Sequence, residues 1–408
     1  MNKFLRIICV LIGALFIVSG FVKAVDPVGF SIKLDEYFEV FAEDTAKIGF
    51  ISSFFLWLRN ISVYLSMFFC VLEMVLGFML LIGFQMELTS WLMLLLIVFF
   101  TWLTGYSAIT NKVTDCGCFG DALHLTPWQS FNKDVVLLVF ILLIFAFRHR
   151  IKPVLKNNSL GTVSVAAFTA ACTYLTVYCF QHLPIIDFRA YKVGNDIREQ
   201  MTLPEGKTPD QYVTILTYKD KATGATGDYV MANNNEQQSD WFSAKNLQVL
   251  PWQDSLWMST HEFVKSNSEI VVKGEKPKIT DFKVWDNDNQ DATSLVLDEP
   301  NFHFWLVAQD MTKTNREAFQ KVNQLAAACE KNKIQFMGLT STPYELLDPI
   351  RHELNAPFPF YYADGTVLKT IIRSNPGLVL LKGSRVLGQW HYNDIPTYDE
   401  LENSFFQK

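Results

Sequence analysis

The chain has few cysteines for its length, seven in 408 residues. That excludes a small secreted scaffold held by a disulfide framework. It also lacks a Walker loop, a dinucleotide glycine fingerprint and a His-Glu-x-x-His zinc motif, which removes the commonest nucleotide and metallopeptidase chemistries. Basic residues are scarce where nucleic acid would need them. Residues 182–408 hold 23 Lys/Arg against 30 Asp/Glu, so no cationic surface for phosphate is expected there and no nucleic-acid partner. Residues 1–181 carry little charge of either sign, with 12 Lys/Arg and 11 Asp/Glu. Six of the seven cysteines lie in that first part, and Cys329 lies in the second.

What is abundant is apolar: half of all residues, 34 of them Phe. A membrane-spanning helix needs about 20 mostly apolar residues. Five segments meet or approach that length: Phe4–Val22, Ile61–Phe84, Leu88–Ile109, Val135–Phe147 and Leu160–Phe180. The fourth is short unless it begins near Trp128. A basic start before the first segment also fits a cleaved signal peptide, which would leave four helices in the same orientation.

Lys/Arg placement sets the orientation. The stretch Arg148-His149-Arg150-Ile151-Lys152 is the strongest cationic cluster beside any span, and with Lys3 and Arg6 it predicts a cytoplasmic end. The loop Lys23–Arg59, with six acidic and four basic residues, then falls outside. So do the loop around residues 114–121 and the whole polar second half. The turn Gln85–Glu87 has no cation of its own to support this assignment.

In the second half, Val213–Tyr218 and Gly227–Met231 alternate as a β-hairpin does. Trp241, Trp252 and Trp257 are expected to pack a small β-rich layer. From about Lys276 the pattern becomes strand Phe302–Gln309, helix Asn315–Lys331, strand Gln335–Thr340, helix Tyr344–Leu354 and a hairpin Gly377–Leu381 with Arg385–Trp390. A βαβαββ order predicts a sheet covered by helices on both faces.

One place carries the residue types of chemistry: Thr114-Asp115-Cys116-Gly117-Cys118-Phe119-Gly120-Asp121. Two residues apart in extended chain, Cα atoms are about 6.6 Å apart, near the upper limit for a disulfide. Gly117 permits the bend that would close the gap. A bond made so is strained and exchangeable, in a compartment that is oxidising if the loop is outside. Asp115 and Asp121 oppose this, since negative neighbours raise a thiol's pKa. Cys116 and Cys118 therefore read as a redox pair, as a static clip, or as half of a metal site. His124 is the nearest further ligand besides the aspartates, and a structural zinc wants four, so no metal is assigned. Glu73 lies in mid-span, where an ionised carboxylate costs about 2.5–3.5 kcal/mol. It must be paired, protonated or turned inward, as a proton relay, a quinone contact or a packing hydrogen bond; Lys23 and Tyr106 are candidate partners. Cys9 and Cys70 read as apolar packing and Cys329 as inert core, while Cys172 and Cys179 share a helix face at i, i+7, roughly 10 Å apart along the axis and too far to bond each other.

Two resemblances follow from these residues. Asn375-Pro376-Gly377 entering a strand, within that strand and helix order, resembles the thioredoxin-like fold, which implies a cis Pro376. Pro277–Phe282 resembles its lead-in strand. Where that family carries Cys-x-x-Cys, this chain reads Asp310-Met311-Thr312-Lys313-Thr314-Asn315, so no redox catalysis is expected from the lobe. Ser19-Gly20-Phe21-Val22-Lys23 with Asp26-Pro27, Glu73-x-x-x-Gly77 and Asp115-Cys116-Gly117-Cys118-Phe119-Gly120 resemble the MauE/DoxX-like membrane family. That resemblance implies a helical bundle and, for MauE types, a part in maturing a disulfide-rich periplasmic protein.

The expected organisation is a transmembrane bundle over 1–150, a further transmembrane helix over 151–181, a periplasmic β-rich connecting region over 182–275 and a thioredoxin-like domain over 276–408. The expected function is thiol–disulfide exchange or protein maturation at Cys116/Cys118 in a bacterial inner membrane. Its partners would be the lipid bilayer and a periplasmic client or redox protein, with a membrane quinone as the cofactor to consider. The alternatives are a scaffold with a structural disulfide and a small-molecule site around Glu73.

Overall fold

The computed structural model describes residues 3–113, 117, 120–123, 125–155, 157–231, 245 and 247–407. The chain forms two compact units, Met1–Asn195 with Lys283–Lys408, and Asp196–Phe282.

Among the described residues the first unit begins with seven α-helices: α1 Lys3–Val25, α2 Pro27–Asp44, α3 Gly49–Asn60, α4 Ser62–Ile82, α5 Met86–Thr110, α6 Pro127–Ala146 and α7 Asn158–Gln181. Five of them, α1, α4, α5, α6 and α7, are long and apolar enough to cross a membrane. The fourth span starts well before Val135, because Pro127 occupies the first turn and Thr126 with Gln129 forms a capping box. Lys133 and Asp134 thus lie inside the span.

The loop expected between the first two spans is instead the helices α2 and α3. Phe30, Leu34, Tyr37, Phe38 and Phe41 recur at helical spacing on α2 and are all buried. The acidic residues between them had made the stretch look like a loop. α3 buries none of its residues and exposes Phe50, Phe54 and Trp57, aromatic types that suit a membrane interface. The α1–α4 crossing is tight. A Cβ on Gly13 would lie 2.7 Å from the Gly77 carbonyl oxygen, and one on Gly77 would lie 2.6 Å from that of Gly13. Small residues at such a crossing let helix backbones approach.

Basic residues gather at one end of the bundle. Arg6 Nη2 donates to the Leu81 carbonyl at 2.5 Å, Arg148 stands 4.0 Å from Glu87, and the Val154 amide donates to Ile82 at 2.8 Å. The cation-poor turn at Gln85–Glu87 is therefore served by Arg6 and Arg148, which sequence distance had hidden.

After α7 the chain enters the second unit. It comprises α8 Ile197–Gln200, strands β1 Gln211–Asp220, β2 Thr226–Val230 and β3 Gln248–Val249, helix α9 Ser255–Thr260 and β4 His261–Val272. The sheet order is β3-β2-β1-β4. The expected hairpin is β1–β2, antiparallel with Ile215 opposite Val230. Trp257 packs here, edge-on to Tyr218 and Tyr229 and stacked on His261. Trp252 does not, being 55% exposed, and Trp241 lies outside the described residues.

The first unit resumes with a sheet-containing C-terminal lobe. Its elements are β5 Val284–Trp285, α10 Thr293–Leu297, β6 Phe302–Val307, α11 Ala318–Lys331, β7 Gln335–Thr340, α12 Tyr344–Glu353, β8 Phe360–Ala363, α13 Gly365–Ile371, β9 Gly377–Lys382, β10 Arg385–His391 and α14 Tyr398–Leu401. The sheet order is β10-β9-β6-β7-β8-β5. β6 and β7 run parallel, as do β7 and β8, whereas β9 is antiparallel to β6. Both faces are covered. Phe304, Leu306, Phe336 and Leu380 pack with α11, and the alternate Trp305 donates from Nε1 to the Val296 carbonyl of α10. The sequence reading had missed β5, β8 and α13, which are too short to show a period. Asn375–Pro376 is cis, as the resemblance implied.

His391, at the end of β10, is buried, and burial pushes its pKa down to about 4 from 6.5. Its Nδ1 accepts from the Asn393 amide at 3.3 Å, a bond that needs the unprotonated nitrogen. Between those pH values the unfolded chain binds the extra proton, so acidification weakens the lobe, by about 3 kcal/mol once pH has fallen to the lower value. Thermal unfolding of the full chain in detergent should show a lower midpoint at pH 4.5 than at pH 7 (roughly those two ends of the window). His391→Gln should flatten that dependence if the imidazole is its source.

Candidate functional site

Glu73 projects from α4 into the bundle beside Lys23 at the end of α1, and the two form an ion pair, with side chains only 7% and 4% exposed. Between them the helices approach closely at Gly20, where a Cβ would lie 3.0 Å from the Met74 amide nitrogen and 3.1 Å from the Cys70 carbonyl oxygen. Lys23 Nζ also lies 5.3 Å from the Phe30 ring centre and 5.0 Å from that of Phe100, close enough for cation–π attraction. Tyr106, the other candidate partner of Glu73, donates its hydroxyl to Asp44 instead. Asp44 also binds Lys112, and these two partners hold its carboxyl below the usual range.

The ion pair borders a cavity of about 30 Å³ that is also lined by Lys33, Tyr37, Thr104 and Asp134. Asp134 accepts from Thr104 Oγ1 at 3.0 Å, and Lys133 Nζ lies 3.0 Å from its other oxygen. That volume holds a water or two but no quinone ring. Neither Asp134 nor Lys133 was singled out from sequence. The capping signal at Thr126–Gln129 would have placed them inside the span.

Gly117 has φ +64, and Gly120 donates its amide to the Gly117 carbonyl at 3.1 Å. A Cβ on Gly117 would come within 2.9 Å of Lys33 Cγ, so this turn rests on α2. Cys116, Cys118, Asp115 and His124 lie outside the described residues. Asp121, three residues beyond Cys118, is described, and it faces Arg373 of the C-terminal lobe.

Arg373 links these parts. Its side chain is 3% exposed, with Nε 2.9 Å from Asp26 Oδ2 and Nη2 2.7 Å from Asp121 Oδ2. Burial alone would lower its pKa. The carboxylates of Asp26 and Asp121 outweigh that and hold it above its ordinary value. Asp26 works twice, since its Oδ1 also accepts from the Gly29 amide as the N-cap of α2. The negative charge at Asp121, expected to suppress a neighbouring thiolate, is thus countered by a guanidinium. Arg373 had carried no sequence signal beyond its place two residues before Asn375-Pro376.

The lobe itself offers no thiol here. The turn Asp310–Asn315 is tied to the cis-proline loop: the Asn315 amide donates to Asn375 O at 3.0 Å and Asn375 Nδ2 to Asp310 O at 2.9 Å. Cys329 is core, its pKa pushed up to about 12 by burial. Cys9, Cys70, Cys172 and Cys179 are likewise buried and unbridged. Among the described residues, no three His, Cys, Asp or Glu side chains group as a metal site.

Residues 1–147 match the family described as methylamine utilisation protein MauE. The matched stretch spans α1 to α6 and includes Lys23, Glu73, Asp26 and Asp121; α7 and the lobe that supplies Arg373 fall outside it. No curated protein matches the chain. The MauE match and the five apolar helices together make this a multi-pass membrane protein.

Proposed function

We propose that this is a bacterial inner-membrane protein that carries out thiol–disulfide exchange at Cys116/Cys118 for a periplasmic client protein. The observation that carries the reading is the Arg373–Asp121 contact, which sets a guanidinium of the lobe 2.7 Å from the carboxylate that stands three residues beyond Cys118 in the sequence. A cationic neighbour favours thiolate, the form that attacks and leaves in exchange. The clustering of Arg6 and Arg148 at the far end of the bundle supports a periplasmic position for the loop and lobe. The strand order and the cis Asn375–Pro376 support a thioredoxin-like lobe over 276–408, which positions the loop and performs no exchange of its own.

In the proposed step a client thiolate attacks one sulfur of the Cys116–Cys118 disulfide, and a mixed disulfide forms as the other sulfur leaves as thiolate. A second client thiolate then displaces the bound cysteine. The client loses two electrons and two protons, and the pair gains both. Return of the pair to the disulfide would require a two-electron acceptor, of quinone class if it is a membrane cofactor, and the cavity beside Glu73 is too small to hold one. That size also weighs against the reading of a small-molecule site around Glu73.

Intact cells treated with a membrane-impermeant, mass-adding thiol reagent provide the test. The native chain should gain mass only after mild reduction, and Cys116→Ser or Cys118→Ser should accumulate a mixed disulfide with another protein. A pair that resists strong reductant, or is never oxidised, with no mixed disulfide in either variant, would leave a scaffold protein.

A further inference from the structure

We propose that the outer edge of β4 pairs with β4 of a second copy of this chain, antiparallel about a twofold axis at Asn267. β4 ends the four-stranded sheet, and among the described residues no strand pairs with its far side. An unpaired edge of this length presents a row of free backbone donors and acceptors.

The ladder to β1 is irregular at both ends of β4, with register shifts at Gln211/Tyr212 and Thr217/Tyr218, and regular between Ile270 and Lys265. Bulges turn an edge away from a partner, so the regular stretch is where pairing fits. That stretch contains Lys265-Ser266-Asn267-Ser268-Glu269. Read against itself in reverse, it sets Lys265 opposite Glu269, Ser266 opposite Ser268 and Asn267 opposite Asn267. Each Lys–Glu match occurs twice under the symmetry, and opposite charges across strands stabilise a pair. Glu269 already pairs with Lys245 at the surface, an exposed contact of small value that a cross-strand lysine can share. A twofold, self-complementary patch is what a symmetric dimer requires. Anchoring both copies in one membrane raises their local concentration.

Two measurements on the full chain in detergent test this. Asn267→Cys should form a reducible dimer under copper-catalysed air oxidation, because opposed Cα atoms in such a ladder stand about 4.5–5.5 Å apart. Thr214→Cys on β1 and the unsubstituted chain should not. Lys265→Glu alone should weaken association about tenfold, by replacing two opposite-charge pairs with two like-charge ones. The exchanged variant Lys265→Glu/Glu269→Lys should restore it, and mass measurement of the dimer fraction reads both. The proposal is overturned if Asn267→Cys fails to cross-link, if Thr214→Cys cross-links equally, if it joins a different protein, or if the exchanged variant stays as weak as the single one.

Discussion

Lys23→Met should destabilise the helical bundle by about 3–5 kcal/mol, the usual penalty for removing one partner of a buried ion pair. Glu73 would lose its buried counter-ion, and Tyr106, committed to Asp44, does not replace it. The cavity next to it, at about 30 Å³, admits too little water to solvate a charge. Replacing both partners by apolar residues of similar size, Lys23→Met with Glu73→Leu, should recover most of the loss, since a well-packed apolar pair often equals or exceeds a buried ion pair. Thermal or denaturant unfolding in detergent checks this with three chains. A double variant as unstable as the single one would show that the pair contributes something packing cannot replace. If the double variant is stable and still forms mixed disulfides, the pair is structural and the exchange chemistry does not pass through it.

Arg373→Ala should release the lobe from Asp26 and Asp121, at about 2–3 kcal/mol. This is below the fully buried case because Asp26 and Asp121 retain some exposure, 14% and 28%, and rehydrate when the guanidinium goes. The helix α2 should persist, since the Asp26 cap to Gly29 does not involve Arg373. Arg373→Lys should fall between, as one ammonium cannot span two carboxylates with a fixed fork of donors. The chain from His182 to Asn195 runs along the lobe, with Arg189 donating to Ile371 O and Asn195 O accepting from Val386. Protease sensitivity of that stretch, measured with the yield of mixed disulfide from Cys116→Ser, separates the outcomes. Faster cleavage with a lower yield is expected. Faster cleavage with an unchanged yield would make Arg373 a fastener of the lobe and nothing more.

Much of the architecture is legible in the sequence. Long apolar runs mark spans because lipid leaves a helix no other way to satisfy its backbone. Approximate alternation marked the β1–β2 hairpin, and β6 and β7 stood out as short apolar runs. What escaped were features whose signal is split between patterns. α2 was hidden by acidic residues on its exposed side, and the start of α6 by the charges Lys133 and Asp134. The strands β5 and β8 are too short to carry a period.

The site divides along the same line. Sequence alone determined that a cysteine pair stands in a short loop between two apolar helices, and that Glu73 needed a partner inside the bundle. Local chemistry sufficed for both, because an ionised group in an apolar span has few tolerable states. Only the tertiary structure decided that Lys23 is that partner, that Asp134 shares its cavity, and that Arg373 answers Asp121 across 252 residues. Such pairings depend on how close two helices or lobes can approach, as α1 and α4 do at Gly13 and Gly20. That approach is a property of packed surfaces, which no stretch of sequence contains.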